Sequence, residues 1–139
     1  MFRETNAAMG LFILRVVVGF VFLMHGLGKL IGPPFIGPGM DGWTQFAAGI
    51  GMPLPEVTAW VGMLVETLGG AALILGTATT IAGLLLAVQM FVAIVKVRLA
   101  NGLDTTRGGF EYELVLLAAA VAIAVAGPGM LAVQLKPKT

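Results

Sequence analysis

The sequence contains no cysteine and a single histidine, His25. Without cysteine, the chain can hold no disulfide, no thiol redox pair and no cysteine-ligated iron–sulfur or zinc site of its own. One histidine cannot clamp a haem iron from both sides. Any redox centre that the protein uses must therefore be borrowed from a ligand or a partner.

Charged residues are also scarce, since Lys, Arg, Asp and Glu make up 11% of the 139 residues. Soluble domains carry about 25% charged residues. Hydrophobic residues make up 58% of the chain, and the mean hydropathy is +1.00. Too few polar side chains remain to cover a water-soluble globule, so the composition indicates a protein whose first partner is the lipid bilayer. With a net charge of +1 and no run of basic residues, the sequence lacks the basic patch that is typical of nucleic-acid-binding proteins.

Four apolar segments account for most of the chain, over residues 9–30, 57–75, 80–99 and 110–127. Each is close to the roughly 20 residues that a helix needs to cross a bilayer. The sequence therefore predicts an all-α membrane protein, with a single four-transmembrane-helix bundle over residues 1–139. The first segment carries Arg15 within it and ends in His25 and Lys29, so we interpret it as a retained helix and not a cleaved signal peptide.

A long Pro/Gly-rich loop separates the first two apolar segments. Residues 33–55 hold five of the seven prolines and five glycines, which excludes one long helix. Asp41 is predicted to cap a short helix within this loop. Helical spacing places four residues on one face of that helix, Trp43, Phe46, Ala47 and Ile50. The loop is either an ordinary surface connection or part of a functional site beside the membrane.

Ionisable residues interrupt the apolar segments, and the alternating direction of the segments predicts their depth. Segments one and three end, and segments two and four begin, at one membrane face, which we call the loop side. The residues expected near it are His25, Lys29, Glu56, Lys96, Arg98, Glu111 and Glu113. Glu66 lies about 15 Å further in than Glu56 at the helical rise per residue. Seven-residue spacing places Arg15 with Lys29 on one face, and Gln89 with Lys96 on another.

A charged side chain in hydrocarbon costs about 2.5–3.5 kcal/mol on insertion scales. Arg15 and Glu66 should therefore face the bundle interior and be paired, with Glu66 against segments one and four. They belong either to a proton or quinone site or to an ion pair that fixes the helix register. Gly62, Gly69 and Gly76 recur every seven residues beside Glu66, and such a row lets helices approach closely.

The shared depth of these polar residues predicts a ligand pocket at the loop side. The candidate ligand-binding residues are Arg15, His25, Lys29, Glu66, Gln89, Lys96 and Glu113, with Phe22 in the wall and Trp43 and Phe46 as the roof. His25 and Lys29 or Lys96 are donors of the kind that a quinone headgroup needs. No catalytic residue is assigned, although Glu66 and His25 are the candidates, and no metal-ligand set is found. The alternative is a closed salt-bridge network of Lys29 and Lys96 with Glu66 and Glu113 that binds nothing.

Several motifs resemble those of the DoxX family. They are residues 15–29 (RVVVGFVFLMHGLGK), 66–76 (ETLGGAALILG), 109–114 (GFEYEL) and 127–129 (GPG). Their order and spacing match the family from about Met9 to Met130. The family pattern usually continues with a basic or aromatic residue, Ser and Asp, whereas residues 130–133 here are MLAV. By matching positions, the resemblance implies a polar signature formed by Arg15, His25, Lys29, Glu66 and Glu113.

The resemblance also implies a multi-pass protein of the inner (plasma) membrane with both termini in the cytoplasm, which Lys136 and Lys138 in the tail weakly favour. DoxX proteins are related to DoxD, the membrane subunit of a thiosulfate:quinone oxidoreductase, and some belong to assemblies that defend against oxidative and thiol stress. We therefore expect an accessory or quinone-interacting subunit of a membrane oxidoreductase. It would have no covalent cofactor, and its redox centre would lie on a soluble or membrane partner. The alternatives are a non-catalytic scaffold that recruits partners through the 33–55 loop, and a small transporter, which requires a homo-oligomer.

Overall fold

The computed structural model describes residues 2–133, and within them every regular element is a helix. The α-helices are α1 (Phe2–Leu30), α2 (Gly39–Gly49), α3 (Pro55–Leu75), α4 (Thr79–Ala93) and α5 (Glu111–Ala126). Helix α4 continues into a π-helical turn (Ile94–Arg98) and a 3-10 turn (Leu99–Asn101), and a second 3-10 turn covers Thr105–Arg107. The predicted all-α class is confirmed. The tail lysines Lys136 and Lys138 lie outside the described residues.

Three helices among the described residues are long and apolar enough to cross a membrane, over Arg3–Leu30, Pro55–Leu75 and Thr79–Asn101. They correspond to the first three predicted segments. The fourth predicted segment forms α5, which has 16 residues. At 1.5 Å per residue, α5 is shorter than the roughly 30 Å hydrocarbon core, so length alone does not make it a span.

The outer surface of the helices is apolar, as expected for contact with lipid. Ile13, Phe20 and Val61 are 56%, 56% and 54% exposed. The core that the helices enclose is also apolar, with Phe22 and Leu86 almost completely buried. Helices that are hydrophobic on all sides are typical of membrane spans, since lipid and core are equally apolar.

Glycines bring α1 and α3 together. A Cβ on Gly19 would lie 2.7 Å from the carbonyl oxygen of Gly70, and a Cβ on Gly70 would lie 2.6 Å from the backbone nitrogen of Leu23. Small residues permit such backbone contacts between membrane helices. The seven-residue glycine row is divided, because Gly62 and Gly69 lie against Gln89 and Leu86 of α4, whereas Gly76 lies against Arg15 of α1.

Helix α2 occupies the middle of the segment predicted to be a Pro/Gly-rich loop. It begins at Gly39, and Pro38 stands at its N-cap without a side-chain capping bond. The predicted capping role of Asp41 is therefore wrong, because the helix begins two residues earlier and Asp41 lies in its first turn. An acidic residue in the first turn still favours the helix through the positive N-terminal end of its dipole.

Arg15 is fully buried and bonds only to backbone carbonyls. All five of its N–H groups are used, because Nε donates once and each terminal nitrogen donates twice. The acceptors are the carbonyls of Leu73 (2.9 Å), Ile74 (2.5 Å), Pro128 (2.7 Å), Met130 (2.7 Å) and Leu131 (2.9 Å). Within residues 2–133 Arg15 forms no ion pair, so that prediction is wrong: carbonyl dipoles stabilise the charge in place of a carboxylate.

The chain that follows α5 makes this arrangement possible. The sequence Gly127-Pro128-Gly129 ends α5 and turns the chain back across α1 and α3. The nitrogen of Met130 donates to Ala8 O at 3.1 Å, and the nitrogen of Val133 donates to Leu75 O at 3.0 Å. This returning segment closes the end of the helices opposite the loop side, with Arg15 fixed between it and the end of α3.

Candidate functional site

A cavity of about 590 Å³ lies at the loop side, among the ends of the helices. Its size falls within the usual range for small-molecule pockets, about 300–1,000 Å³. Its lining includes most of the predicted residues, namely Phe22, His25, Lys29, Glu66, Gln89, Lys96 and Glu113, with Trp43 and Phe46 from α2. Arg15 is not among them, because it lies two helical turns beyond Phe22, toward the closed end. That these residues bind a ligand stays a prediction.

Glu66 stands at the centre of the polar lining and is 3% exposed. Lys29 Nζ of α1 lies 2.5 Å from Glu66 Oε1, and Gln89 Nε2 of α4 donates to the same oxygen at 2.7 Å. The partners of Glu66 thus come from the first and third apolar segments. Gln89, from the third segment, is thus a partner in addition to the expected neighbours, and the packing of Glu66 against the fourth segment stays a prediction.

The roof over this pair is aromatic. Lys29 Nζ lies 4.1 Å from the centre of the Trp43 ring, and Trp43 stacks on Phe46 at 5.2 Å with 18° between the ring planes. Ala47 and Ile50 also line the cavity, so the four-residue face predicted for α2 is confirmed. A cation over an aromatic ring contributes about 0.5–2 kcal/mol. The ammonium group of Lys29 therefore contacts both the aromatic roof, at Trp43, and the carboxylate of Glu66, which forms the floor of the pocket.

A second ion pair lies in the cavity lining, between the π-helical turn after α4 and helix α5. Arg98 Nε lies 3.2 Å from Glu113 Oε1, while Lys96 is exposed and forms no ion pair within residues 2–133. The predicted closed network of two lysines with two glutamates is therefore wrong at Lys96. The π-helical turn explains why Arg98, and not Lys96, pairs with Glu113. Its wider turns rotate the side chains away from the positions that an α-helical heptad predicts.

Arg98 and Tyr112 also line the cavity, although neither is among the candidate ligand-binding residues predicted from the sequence. No residue pattern predicts a π-helical turn, so the spacing of residues in the sequence could not place Arg98 in the pocket. Tyr112 carried a signal, because it stands between two glutamates at the start of an apolar segment.

His25 makes one hydrogen bond, from Nδ1 to the carbonyl of Val21 at 2.8 Å. A carbonyl only accepts, so Nδ1 carries the proton in this contact. In the neutral ring, Nε2 is then left with a lone pair. A neutral His25 would therefore offer a ligand an acceptor at Nε2, whereas the sequence-based hypothesis treated the residue as a donor.

Three polar atoms of pocket residues are buried without a hydrogen-bond partner among the described residues. They are Trp43 Nε1, Glu66 Oε2 and Glu113 Oε2. Buried polar groups are normally bonded, and an unbonded one costs about 1–3 kcal/mol. All three atoms belong to residues that line the cavity, and no group within residues 2–133 bonds to them. Within residues 2–133, no group of three or more His, Asp and Glu side chains is placed to hold a metal ion.

The DoxX family profile matches residues 10–99, more than half of the chain. The chain belongs to the DoxX family. A Bacillus subtilis (strain 168) protein named "Putative oxidoreductase CatD" is 34% identical over 125 residues, which cover 90% of this chain and 84% of the relative. The comparison with solved structures finds no match.

The family assignment and the apolar helices together make this DoxX protein a multi-pass membrane protein. The matched range runs from Gly10 in α1 through α4 and therefore contains most of the pocket, including Lys29, Glu66 and Gln89. Glu113 lies beyond it, on α5.

Proposed function

We propose that this protein is a quinone-binding subunit of an oxidoreductase system in the inner membrane, and that a partner protein carries the redox centre. The family and the name of the Bacillus relative support an association with oxidoreductases. The absence of cysteine from the chain leaves the electron donor or acceptor to a partner. A role in oxidative or thiol stress defence is part of the same proposal, carried by the resemblance alone.

The observation that carries the proposal is the set of unpartnered atoms around an otherwise apolar cavity. A quinone headgroup is flat and carries two oxygens on an apolar ring, so it needs a slot of this character. Trp43 Nε1 is a donor beside Gly62, where a Cβ would lie 3.7 Å from it, so the missing side chain leaves room at the indole N–H. The residues present therefore fit the headgroup.

The chain's own groups have definite parts in such a site. Trp43 donates to a headgroup oxygen, and the Lys29 ammonium over its ring fixes the orientation of that donor. Glu66 Oε2 is the buried position at which a proton can be accepted, while Lys29 and Gln89 hold Oε1. A bound quinone supplies two-electron, two-proton chemistry.

We also propose that α5 is a fourth span, with both termini in the cytoplasm. The apolar composition of α5, from Leu114 to Ala126, supports this, and the returning chain after Gly127 adds length at its closed end. Topology reporters fused at Gly39 and at Thr139 should give opposite signals in this arrangement. Equal signals from the two fusions would contradict an even number of crossings.

Quinone binding is tested by fluorescence, because the chain has only two tryptophans. Trp43 lines the cavity, whereas Trp60 on α3 is 44% exposed and lies outside it. A Trp60→Phe variant in mild detergent should show saturable quenching by a short-chain quinone, since it retains the pocket indole. The matched Trp43→Phe variant should show only linear, collisional quenching.

His25→Ala and Lys29→Ala, each made in the Trp60→Phe background, should weaken the saturable phase. Linear quenching in the Trp60→Phe protein itself would contradict a quinone site. The ion pairs of the pocket would then be structural, and the function would have to be sought at the 33–55 segment and its partners.

A further inference from the structure

We propose that the pocket binds the hydroquinone form of its ligand more tightly than the quinone form, an inference that rests on the proposed function. The two forms have almost the same shape. They differ in hydrogen bonding, because a phenolic hydroxyl donates and accepts, whereas a quinone carbonyl only accepts. The unpartnered atoms of the pocket are mainly acceptors.

Two of these acceptors are carboxylates held in the same way. In Glu66 and in Glu113, Oε1 is paired with a cation, Lys29 or Arg98, while Oε2 is buried without a partner. A carboxylate that is paired with a cation in this way only accepts hydrogen bonds. Because no group within residues 2–133 bonds to either Oε2, a ligand that brings hydroxyl donors suits these two positions.

His25 adds a third acceptor. Its Nδ1 donates to the carbonyl of Val21, so Nε2 is the nitrogen left for a ligand, and it accepts a hydrogen bond when the ring is neutral. A hydroquinone brings two hydroxyl donors to this lining, and a quinone brings none. A quinone carbonyl placed beside an unpartnered carboxylate oxygen is also repelled by it, since both atoms carry negative charge.

Among the unpartnered buried atoms of the described residues, the donor suited to a quinone carbonyl is Trp43 Nε1–H, which a hydroxyl oxygen satisfies equally well. Lys29 and Arg98 also line the cavity, but each already pairs with a carboxylate. The Tyr112 hydroxyl both donates and accepts, so it suits either form of the ligand. Lys96 lines the cavity but is exposed, so moving its ammonium from water to a carbonyl gains little. The balance of donors and acceptors thus favours the reduced ligand.

The test is calorimetric titration of the purified protein in mild detergent without oxygen. Three ligands with the same short alkyl chain are compared, a benzoquinone, its hydroquinone and the dimethyl ether of that hydroquinone. We expect the hydroquinone to bind at least about tenfold more tightly than the other two, which corresponds to about 1.4 kcal/mol. The ether tests the hydroxyl donors without any redox chemistry.

Two variants connect the preference to particular atoms. Glu66→Gln keeps an oxygen for Lys29 and Gln89 and replaces Oε2 with an N–H donor, so the preference should fall toward one or reverse. Gly62→Ala should weaken both forms, because its methyl would lie 3.6 Å from Gln89 Nε2 and 3.7 Å from Trp43 Nε1, within the slot. Gly10→Ala is the matched control, since nothing lies within 4 Å of a Cβ there.

The outcomes separate the two proposals. A hydroquinone preference that Glu66→Gln abolishes supports the inference. Equal or tighter binding of the quinone overturns the inference and leaves the proposed function standing. A hydroquinone preference that Glu66→Gln leaves unchanged also overturns it, because the acceptor named here would not be responsible. Failure of every ligand to bind saturably overturns both proposals.

Discussion

Replacing Glu66 with Leu tests whether the pocket floor is held together by its ion pair. Glu66 and Lys29 are both buried, and their charged atoms are 2.5 Å apart. Glu66→Leu removes the carboxylate and leaves the ammonium in an apolar surrounding. Breaking a buried pair in this way typically costs about 3–5 kcal/mol, because the remaining charge is uncompensated.

The surroundings of Lys29 adjust this magnitude. Its contact with the Trp43 ring, at 4.1 Å, remains and retains about 0.5–2 kcal/mol. Gln89 loses its bond to Glu66 but keeps the one to the Gly62 carbonyl at 3.2 Å, a loss of about 1 kcal/mol. We therefore expect a net destabilisation of about 3 kcal/mol.

The double variant Glu66→Leu/Lys29→Met removes both charges and should recover most of that loss, since an apolar pair of similar volume is often neutral or stabilising. Denaturant unfolding in mild detergent, followed by circular dichroism, measures the free energy of unfolding of each protein. The single variant Lys29→Met completes the cycle. A Glu66→Leu protein within 1 kcal/mol of the wild type, with no gain in the double variant, would refute the reasoning, since Glu66 would then be paired with water or lipid headgroups.

Three further predictions concern regions outside the pocket. Arg15→Lys should lower the free energy of unfolding by about 1–3 kcal/mol, because one ammonium with three donors replaces a guanidinium with five, and a change in quinone affinity would contradict the separation of Arg15 from the pocket. Gly70→Ala should cost about 1–3 kcal/mol, since its Cβ would lie 2.6 Å from a backbone nitrogen of α1, whereas Gly10→Ala should melt like the wild type. The pKa of the Asp104 carboxyl is held below its ordinary value by hydrogen bonds from the Thr106 hydroxyl and backbone nitrogen. The stability that these bonds give is therefore present above the unfolded pKa and lost as the pH falls through the folded pKa, which an NMR titration of the carboxyl checks, and an unshifted midpoint would contradict it.

The sequence alone determined the class of the protein and the depth of its polar residues. Apolar segments of about 20 residues dictate membrane helices whatever their neighbours are, because the bilayer acts as the solvent for each one separately. Helices that alternate in direction bring segment ends to the same face. His25, Lys29, Glu66, Gln89 and Glu113 could therefore be assigned to one pocket before any contact was known.

The partners of those residues were decided by the tertiary structure. Arg15 satisfies its charge with backbone carbonyls, and every residue type carries a carbonyl, so no sequence pattern marks them. Their position depends on the returning chain after Gly127. Arg98 pairs with Glu113 because a π-helical turn changes the direction in which the side chains point. Heptad spacing assumes a constant number of residues per turn, so it could not predict this pair.

The difference between the two oxygens of Glu66 was also decided by the tertiary structure. The sequence predicts that a buried carboxylate needs a cation, and Lys29 provides it. It does not predict that Gln89 bonds to the same oxygen and leaves the other one bare, because that depends on where α4 packs against α3 to within an ångström. Composition and periodicity determine the depth and the helix face of each polar group, since they act along each helix. Its partners and its hydrogen-bond geometry depend on distances between helices, which packing alone sets.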